Sequence, residues 1–151
     1  MKYLNGTADD ELFLKIVRVE GMITMEVYID TSYGVHADTK SHSGMMVTFG
    51  QGSELAVSKK QNCVSKSSTE AELIAVTDLI GQAIDLKRVA QEIIGEEIKL
   101  VVYQDNELTI KLMKNGTTGA RSKHVKIRFA WIKEVIDAGD FELKYKATNM
   151  R

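Results

Sequence analysis

The chain has 151 residues, of which 44% are hydrophobic and 27% charged, with one cysteine and no proline. This is ordinary globular usage, which argues against a disordered chain, a collagen, a coiled coil and a disulfide-bonded scaffold. A net charge of −1 argues against a protein that grips nucleic acid by its overall charge. No apolar run reaches the roughly 18 to 20 residues of a membrane span and no secretory leader opens the sequence, so we expect one soluble domain over residues 1–151.

Three segments near the start of the chain predict β-strands. Residues 22–29 (MITMEVYI) are apolar and β-branched and end at Asp30, which predicts a buried strand that runs into a turn. Residues 43–49 and 54–61 flank the sequence GQGS at 50–53, a pattern typical of a β-hairpin. Because proline is absent, glycine is expected to form the turns.

A long helix is predicted next. Ser67 and Glu70 make a capping box, and apolar residues recur at helical spacing from there to about Ile94, with a kink or break expected at Gly81. Residues 98–104 (IKLVVYQ) then predict another strand, which ends before an aspartate.

The last third of the chain predicts two helices and a strand. Asn106 can cap a short helix, and a glycine-rich loop follows at residues 115–120. Ser122 can cap a further helix to about Ala138, and residues 141–145 predict the final strand.

Charge is unevenly distributed along the sequence. Residues 108–133 hold seven basic side chains and no acidic one, and residues 55–69 form a second stretch without acids. Residues 70–107 between them carry nine acids. The pattern is typical either of solvated helix faces or of a local basic surface, and the charges alone leave both interpretations open.

Two acids follow predicted strands, with a helix between them in sequence. A right-handed crossover makes such strands parallel, so Asp30 and Asp105 are expected at the edge where open α/β sheets bind ligands. Glu72 lies on an apolar face of the helix and should point toward the sheet. Three convergent carboxylates repel one another unless a divalent cation lies between them, which makes these acids candidate ligands of Mg²⁺ or Mn²⁺. Two such ions could support hydrolysis of a phosphodiester.

Ordinary structural roles compete with a metal site. Aspartates often end strands because they favour turns, and glutamates are common in the first turn of a helix. Glu70 is only two residues from Glu72 and could take its place. We assign Glu70 to the capping box and Glu72 to the site.

Six short segments resemble, in order and at compatible spacing, the ribonuclease H domain of copia-type LTR retrotransposon Pol polyproteins. They are 28–32 (YIDTS), 40–44 (KSHSG), 58–61 (SKKQ), 67–73 (SSTEAEL), 103–106 (YQDN) and 123–128 (KHVKIR). Residues 2–7 (KYLNGT) also look like the end of the connection from reverse transcriptase, so residues 1–15 are interpreted as its tail.

The resemblance implies a ribonuclease H-like α/β fold, with a mixed five-stranded sheet and helices on both faces. It implies a metal-dependent endonuclease that hydrolyses the RNA strand of RNA/DNA hybrids, with two Mg²⁺ or Mn²⁺ ions in the family. The family's site is Asp, Glu, Asp, Asp. Asp30 matches the first position, Glu72 the second and Asp105 the third, as catalytic residues and metal ligands.

The fourth aspartate is expected on a helix after the last strand. No aspartate follows Asp140 in the sequence, which ends at Arg151, so we expect a C-terminally truncated domain that binds one or two ions. The alternatives to an active enzyme are a weakened or inactive module that binds hybrid or duplex nucleic acid, and a structural part of a reverse transcriptase.

The same resemblance, together with the basic stretch and the predicted helix N-termini, suggests a nucleic-acid surface. Backbone N–H groups at a helix start favour phosphate, and hydroxyl groups can contact the 2′-OH of RNA. Solvated charge and helix capping are the competing explanations. The candidates are Ser32, Ser68, Thr69, Asn106, Arg121, Lys123, His124, Lys126 and Arg128.

The expected partners are an RNA/DNA hybrid and the reverse transcriptase domain of the same polyprotein, and no membrane is expected. The expected location is a cytoplasmic retroelement particle or the nucleus.

Overall fold

The computed structural model describes residues 15–116 and 123–147. The strands are β1 (Lys15–Ile16), β2 (Arg18–Val19), β3 (Met22–Ser32), β4 (His42–Thr48), β5 (Gly50–Gln51), β6 (Leu55–Lys60), β7 (Ile98–Gln104) and β8 (Glu142–Tyr145). The helices are α1 (Ser68–Ile94), α2 (Glu107–Asn115) and α3 (Lys123–Asp137). The predicted order of three main strands, a long helix, a strand, two helices and a strand is confirmed, with the short β1, β2 and β5 in addition.

The main sheet is mixed, as predicted, and has the strand order β6-β4-β3-β7-β8. β4 pairs antiparallel with β3 and with β6, which forms the expected hairpin. β7 pairs parallel with β3 and with β8, so the connections through the helices are crossovers. The short β2 adds to β3, and β1 pairs with β5 in a separate two-stranded sheet.

One face of the sheet forms the core with the helices. Alternate residues of β3, from Ile23 to Ile29, are buried, as the period-2 pattern of a strand requires. The same core contains Leu73 and Leu79 of α1, Met113 of α2 and Ile132 of α3. The three helices also contact one another. The expected helices on both faces are therefore not found within residues 15–116 and 123–147, where all three helices share this single core.

The helix boundaries follow from local capping. The Ser67 hydroxyl accepts a hydrogen bond from the Glu70 N–H at 3.1 Å, so the predicted N-cap of α1 is confirmed. Gly95 ends α1 in the left-handed conformation with φ of 75°, where a side chain would be strained. Of the kink or break expected at Gly81, the break is wrong, because α1 continues through it, and the kink stays a prediction. Ser122, the predicted cap of α3, lies outside the described residues.

β3 is longer than its sequence pattern predicts. The apolar run stops at Ile29, yet β3 continues through Asp30 to Ser32. The reason is the partner strand, because pairing with β4 extends to Ser32 opposite His42. Asp30 is therefore held within a hydrogen-bonded strand rather than in a turn.

Candidate active site

Asp30 and Asp105 lie side by side at one edge of the sheet because of the register between β3 and β7. In this parallel pair Tyr28 stands opposite Tyr103. Asp30 lies two residues after Tyr28, and Asp105 lies two residues after Tyr103, so the two aspartates are at the same level of the sheet. The predicted adjacency and parallel direction of the two strands are confirmed.

Glu72 reaches the same edge from the start of α1. Its side chain is buried, with 7% of the residue exposed, and it lies among buried residues from Ala71 to Val76. The side-chain Nε2 of Gln104 donates a hydrogen bond to Glu72 Oε2 at 2.7 Å. This contact joins the first turns of α1 to the end of β7, directly before Asp105.

The three acids form a compact cluster. One carboxylate oxygen from each of Asp30, Glu72 and Asp105 lies within 4.8 Å of those from the other two. Asp30 is exposed, Asp105 is half-buried and Glu72 is buried, so the cluster opens to solvent on one side. Three hard oxygen donors around one open point fit the ligand preference of Mg²⁺ or Mn²⁺.

The environment of Glu72 disfavours its charge when no cation is present. Burial raises the pKa of Glu72 to about 7, and repulsion from Asp30 and Asp105 acts in the same direction. The hydrogen bond from Gln104 partly opposes this rise. A divalent cation would supply the missing positive charge, since ligation requires the ionised carboxylate.

Glu70 has the capping role that was assigned to it. Its carboxylate accepts a hydrogen bond from the Lys66 N–H at 2.9 Å, and its own N–H is bound by Ser67. The acid cluster contains Glu72 and not Glu70. The structure thus brings together Asp30, Glu72 and Asp105, and their catalytic and metal-binding roles stay predictions.

The polar candidates at the strand and helix ends lie close in sequence to the three acids. Ser68 is exposed one helical turn before Glu72, and Thr69 is half-buried beside it. Asn106, directly after Asp105, caps α2 by accepting the Thr109 N–H at 3.1 Å. Ser32 is exposed at the end of β3.

The basic candidates occupy α3. Lys123, His124 and Lys126 are exposed on its first turns. Arg128 is only partly exposed and donates to Asp78 and to the Thr77 hydroxyl of α1. Arg128 therefore joins α3 to α1, a contact that the sequence interpretation did not predict. Arg121 lies outside the described residues.

A groove of about 600 Å³ opens beside Asp30 and Asp105, on the side of Tyr28 and Tyr103. The two tyrosine rings are stacked with centroids 5.1 Å apart, and the Lys146 Nζ lies 4.7 Å from each centroid. Burial raises the pKa of Tyr103 to about 12, and its hydroxyl donates a hydrogen bond to Glu26 Oε1 at 3.1 Å.

Gln104 and Lys146 were not identified from the sequence. For Gln104 a signal existed, since Ile98, Leu100 and Val102 place alternate residues of β7 in the core and Gln104 continues that series. A buried polar side chain at such a position requires a hydrogen-bond partner. For Lys146, which follows the last strand, no sequence pattern indicated the contact with the tyrosines.

The helices within the described residues include none that is both long and apolar enough to cross a bilayer.

No family model matches the chain, but related polyproteins do. The Pol polyprotein of transposon TNT 1-94 from Nicotiana tabacum is 35% identical over 150 residues, which are 99% of this chain and 11% of that protein. The Pol polyprotein of transposon RE2 from Arabidopsis thaliana is 28% identical over 154 residues, 99% of this chain and 10% of that protein. The chain spans about a tenth of the length of these curated relatives.

Solved structures share the fold. LC11-RNase H1, isolated from compost by a metagenomic approach, matches with a TM-score of 0.60 at 16% identity, covering 84% of this chain and 86% of that one. The same enzyme in complex with an RNA/DNA hybrid matches with a TM-score of 0.56 at 15% identity, covering 82% of this chain and 86% of that one.

A multidomain neighbour also contains this fold. The protease-reverse transcriptase of prototype foamy virus matches with a TM-score of 0.56 at 14% identity, over 84% of this chain and 18% of that one. At these identities the structures establish the fold alone, and the family resemblance rests on the polyprotein relatives. Together they support the resemblance stated above: the chain is similar over nearly its whole length to a segment of the retrovirus-related Pol polyproteins of plant transposons, and it has the ribonuclease H fold.

Proposed function

We propose that this chain is a metal-dependent endonuclease that hydrolyses the RNA strand of RNA/DNA hybrids during reverse transcription of a retroelement. The observation that carries the proposal is the cluster of Asp30, Glu72 and Asp105, whose carboxylate oxygens lie within 4.8 Å of one another at an open sheet edge. The homologous Pol polyproteins and the ribonuclease H fold support the same reaction.

Asp30, Glu72 and Asp105 would hold Mg²⁺ or Mn²⁺. When bound there, such ions activate a water and stabilise the leaving oxygen of a phosphodiester. The protein's contribution is to keep the three carboxylates at fixed positions on β3, α1 and β7. Because the strands are hydrogen-bonded in register, the two aspartates need no rearrangement to meet.

The nucleic-acid surface proposed for the hybrid combines the start of α1 with the first turns of α3. Ser68 and Thr69 place hydroxyl groups within one turn of Glu72, where a 2′-OH could be contacted. The exposed Lys123, His124 and Lys126 supply positive charge for phosphates. Ser32, two residues after Asp30, and Asn106, directly after Asp105, complete the proposed contact set together with Arg121 and Arg128.

We propose the reverse transcriptase domain of the same polyprotein as the macromolecular partner and the cytoplasmic retroelement particle as the working compartment. The foamy virus protease-reverse transcriptase supports the first proposal, because it carries this fold in one chain with a polymerase.

The direct test is cleavage of an end-labelled RNA/DNA hybrid in Mg²⁺ and in Mn²⁺. We expect cuts in the RNA strand by the parent chain, none by Asp30→Asn or Asp105→Asn, and parent-like cleavage by Asp85→Asn. Asp85 is a suitable control because it is an exposed acid of α1 whose partner is Arg88.

The results of this cleavage assay distinguish an active ribonuclease from a module that only binds the hybrid. Cleavage that survives in both site variants would come from a contaminating nuclease and would contradict the proposal. A parent that binds the hybrid but leaves it intact in both metals would instead be a ribonuclease H-like module that binds without cutting.

A further inference from the structure

We propose that Gln104 is a positioning residue for Glu72, and that its side-chain amide holds this carboxylate in the orientation in which the three acids bind a divalent cation. The inference rests on the proposed function, because it concerns the same acid cluster. It adds a residue that touches neither the cation nor the substrate and acts through Glu72.

The hydrogen bond is short, buried and directed at a charged group. Gln104 Nε2 donates to Glu72 Oε2 at 2.7 Å, and Gln104 is 1% exposed. Hydrogen bonds to a carboxylate are stronger than those between neutral groups, and burial strengthens this one further because solvent donors compete poorly for it. One oxygen of Glu72 is thereby committed to the protein, which restricts rotation of the carboxylate.

Gln104 is itself fixed by the sheet. It is the last residue of β7, and it stands opposite Tyr145 in the parallel pairing with β8. Its carbonyl oxygen accepts a hydrogen bond from the Lys146 N–H at 3.1 Å, and Asp105 follows it in the chain. A single rigid strand end therefore supplies one ligand, Asp105, and the donor that orients another, Glu72.

An amide suits this position because it is neutral. It binds an ionised carboxylate without cancelling its charge, so Glu72 keeps the negative charge that attracts a cation. A lysine or arginine here would bring a positive charge that competes with the metal. An aliphatic side chain would remove this donor from the buried Glu72 Oε2.

The chain offers a matched control in Gln61. This second buried glutamine is 3% exposed, and its Nε2 donates to the Ser43 hydroxyl and the Ala71 carbonyl, each at 2.9 Å. Within the described part of the chain, the Oε1 atoms of both glutamines are buried without a hydrogen-bond partner. Gln61 and Gln104 thus have similar burial, but only Gln104 contacts an acid of the cluster.

The test compares Mn²⁺ binding, measured by electron paramagnetic resonance of the free ion, in the parent chain, Gln104→Met and Gln61→Met. Methionine is close to glutamine in volume and removes the donor. We expect the dissociation constant to rise about 10- to 100-fold in Gln104→Met, the usual range when a residue that orients a metal ligand is removed. In Gln61→Met the dissociation constant for Mn²⁺ should stay within about twofold of the parent value. Both variants are expected to lose thermal stability.

Each result decides the question. Equal Mn²⁺ affinity in Gln104→Met and the parent, with binding abolished in Asp105→Asn, would overturn the role of Gln104 and leave the metal site intact. Equal weakening in both methionine variants would mean that general loosening of the core is the cause, which also overturns it. A parent chain that binds no Mn²⁺ would overturn the metal site itself, and with it this inference.

A measurement on the unaltered chain covers the case in which Gln104→Met does not fold. Titration with Mg²⁺ should shift the side-chain amide proton signals of Gln104 in nuclear magnetic resonance spectra, because their acceptor Glu72 becomes a ligand. The side-chain amide signals of Gln61 should stay in place. Unchanged Gln104 signals on a chain that binds Mg²⁺ would contradict the proposed role.

Discussion

Tyr28 and Tyr103 face each other across the parallel strands β3 and β7, in register and with ring centroids 5.1 Å apart. The same register sets the level at which Asp30 and Asp105 emerge two residues later. The Tyr28 hydroxyl donates to Glu26 Oε2 and the Tyr103 hydroxyl to Glu26 Oε1, so one carboxylate accepts hydrogen bonds from both tyrosines. Main-chain pairing of β3 with β7 thus aligns the two aspartates of the candidate site. The stacking of Tyr28 on Tyr103, two residues before each aspartate, supports the same alignment.

The two neighbouring glutamates of α1 should respond differently to loss of charge. Glu72→Gln removes a member of the acid cluster, so we expect hybrid cleavage to fall at least about 100-fold and Mn²⁺ binding to weaken. Glu70→Gln keeps an acceptor for the Lys66 N–H and loses only the negative charge at the helix N-terminus, so cleavage should stay near the parent level and stability should fall by about 0.3–1 kcal/mol. Cleavage rates and urea unfolding of both variants check this, and equal losses of cleavage would show that the assignment within the pair is wrong.

The stability of the metal-free chain should fall as pH rises. Glu72 has a pKa of about 7 in the folded chain against 4.5 as its ordinary value, so the folded state holds this proton more firmly than the unfolded state. The contribution is complete below pH 4.5 and is lost as pH rises through about 7, with a total on the order of 3 kcal/mol.

Urea unfolding at pH 5 and pH 8 in the presence of a chelator measures this effect. Glu72→Gln serves as the control, because its neutral amide cannot titrate and the difference from the parent cancels other ionisable groups. Mg²⁺ should restore stability at pH 8 in the parent and not in the variant. A parent and variant with parallel pH profiles would contradict the raised pKa.

Reversal of charge at the start of α3 should weaken hybrid binding in a salt-dependent way. The double variant Lys123→Glu/Lys126→Glu removes two exposed cations, so the slope of log K against log salt should become shallower by about 1 for each phosphate that the chain no longer neutralises. Lys15→Glu/Arg88→Glu makes the same change of charge on β1 and the second half of α1, and its slope should match the parent. An unaltered slope in the first variant would show that Lys123 and Lys126 do not contact the phosphates of the hybrid.

Arg128 should contribute to stability as well as to the basic surface. Its guanidinium binds Asp78 and Thr77 of α1, while Lys126 has no ion-pair partner among the residues that the structure describes. We expect Arg128→Met to cost about 1 kcal/mol of unfolding free energy and Lys126→Met to stay within about 0.5 kcal/mol of the parent. Chemical unfolding of the two variants measures the difference, and equal stabilities would argue against a structural role for the ion pair.

Much of this fold can be predicted from short-range patterns. The alternation from Ile23 to Ile29 and the Ser67 cap are local signals, and both are observed. The position of Asp30 and Asp105 at one edge follows from the handedness of a single crossover. Glu72 could be separated from Glu70 because Ser67 and Glu70 form a capping box, which leaves Glu72 for the site.

The features that escaped prediction depend on contacts between distant segments. β3 continues past its apolar run because β4 pairs with it as far as Ser32. Gly81 lowers helix propensity by about 1 kcal/mol, but buried Leu79, Ile80, Ala83 and Ile84 on either side anchor α1 across it. Gln104 and Glu72 are distant in sequence, and their hydrogen bond exists only after β7 has docked beside β3.

The parallel pairing of β3 with β7 also determines when the acid cluster can form. The strands are separated by the β4–β6 hairpin and by the 27 residues of α1, so their pairing requires closure of a long loop and is expected late in folding. The three carboxylates therefore do not yet repel one another in the early, compact stages of folding. A divalent cation should accordingly slow unfolding of the native chain while leaving its refolding rate almost unchanged.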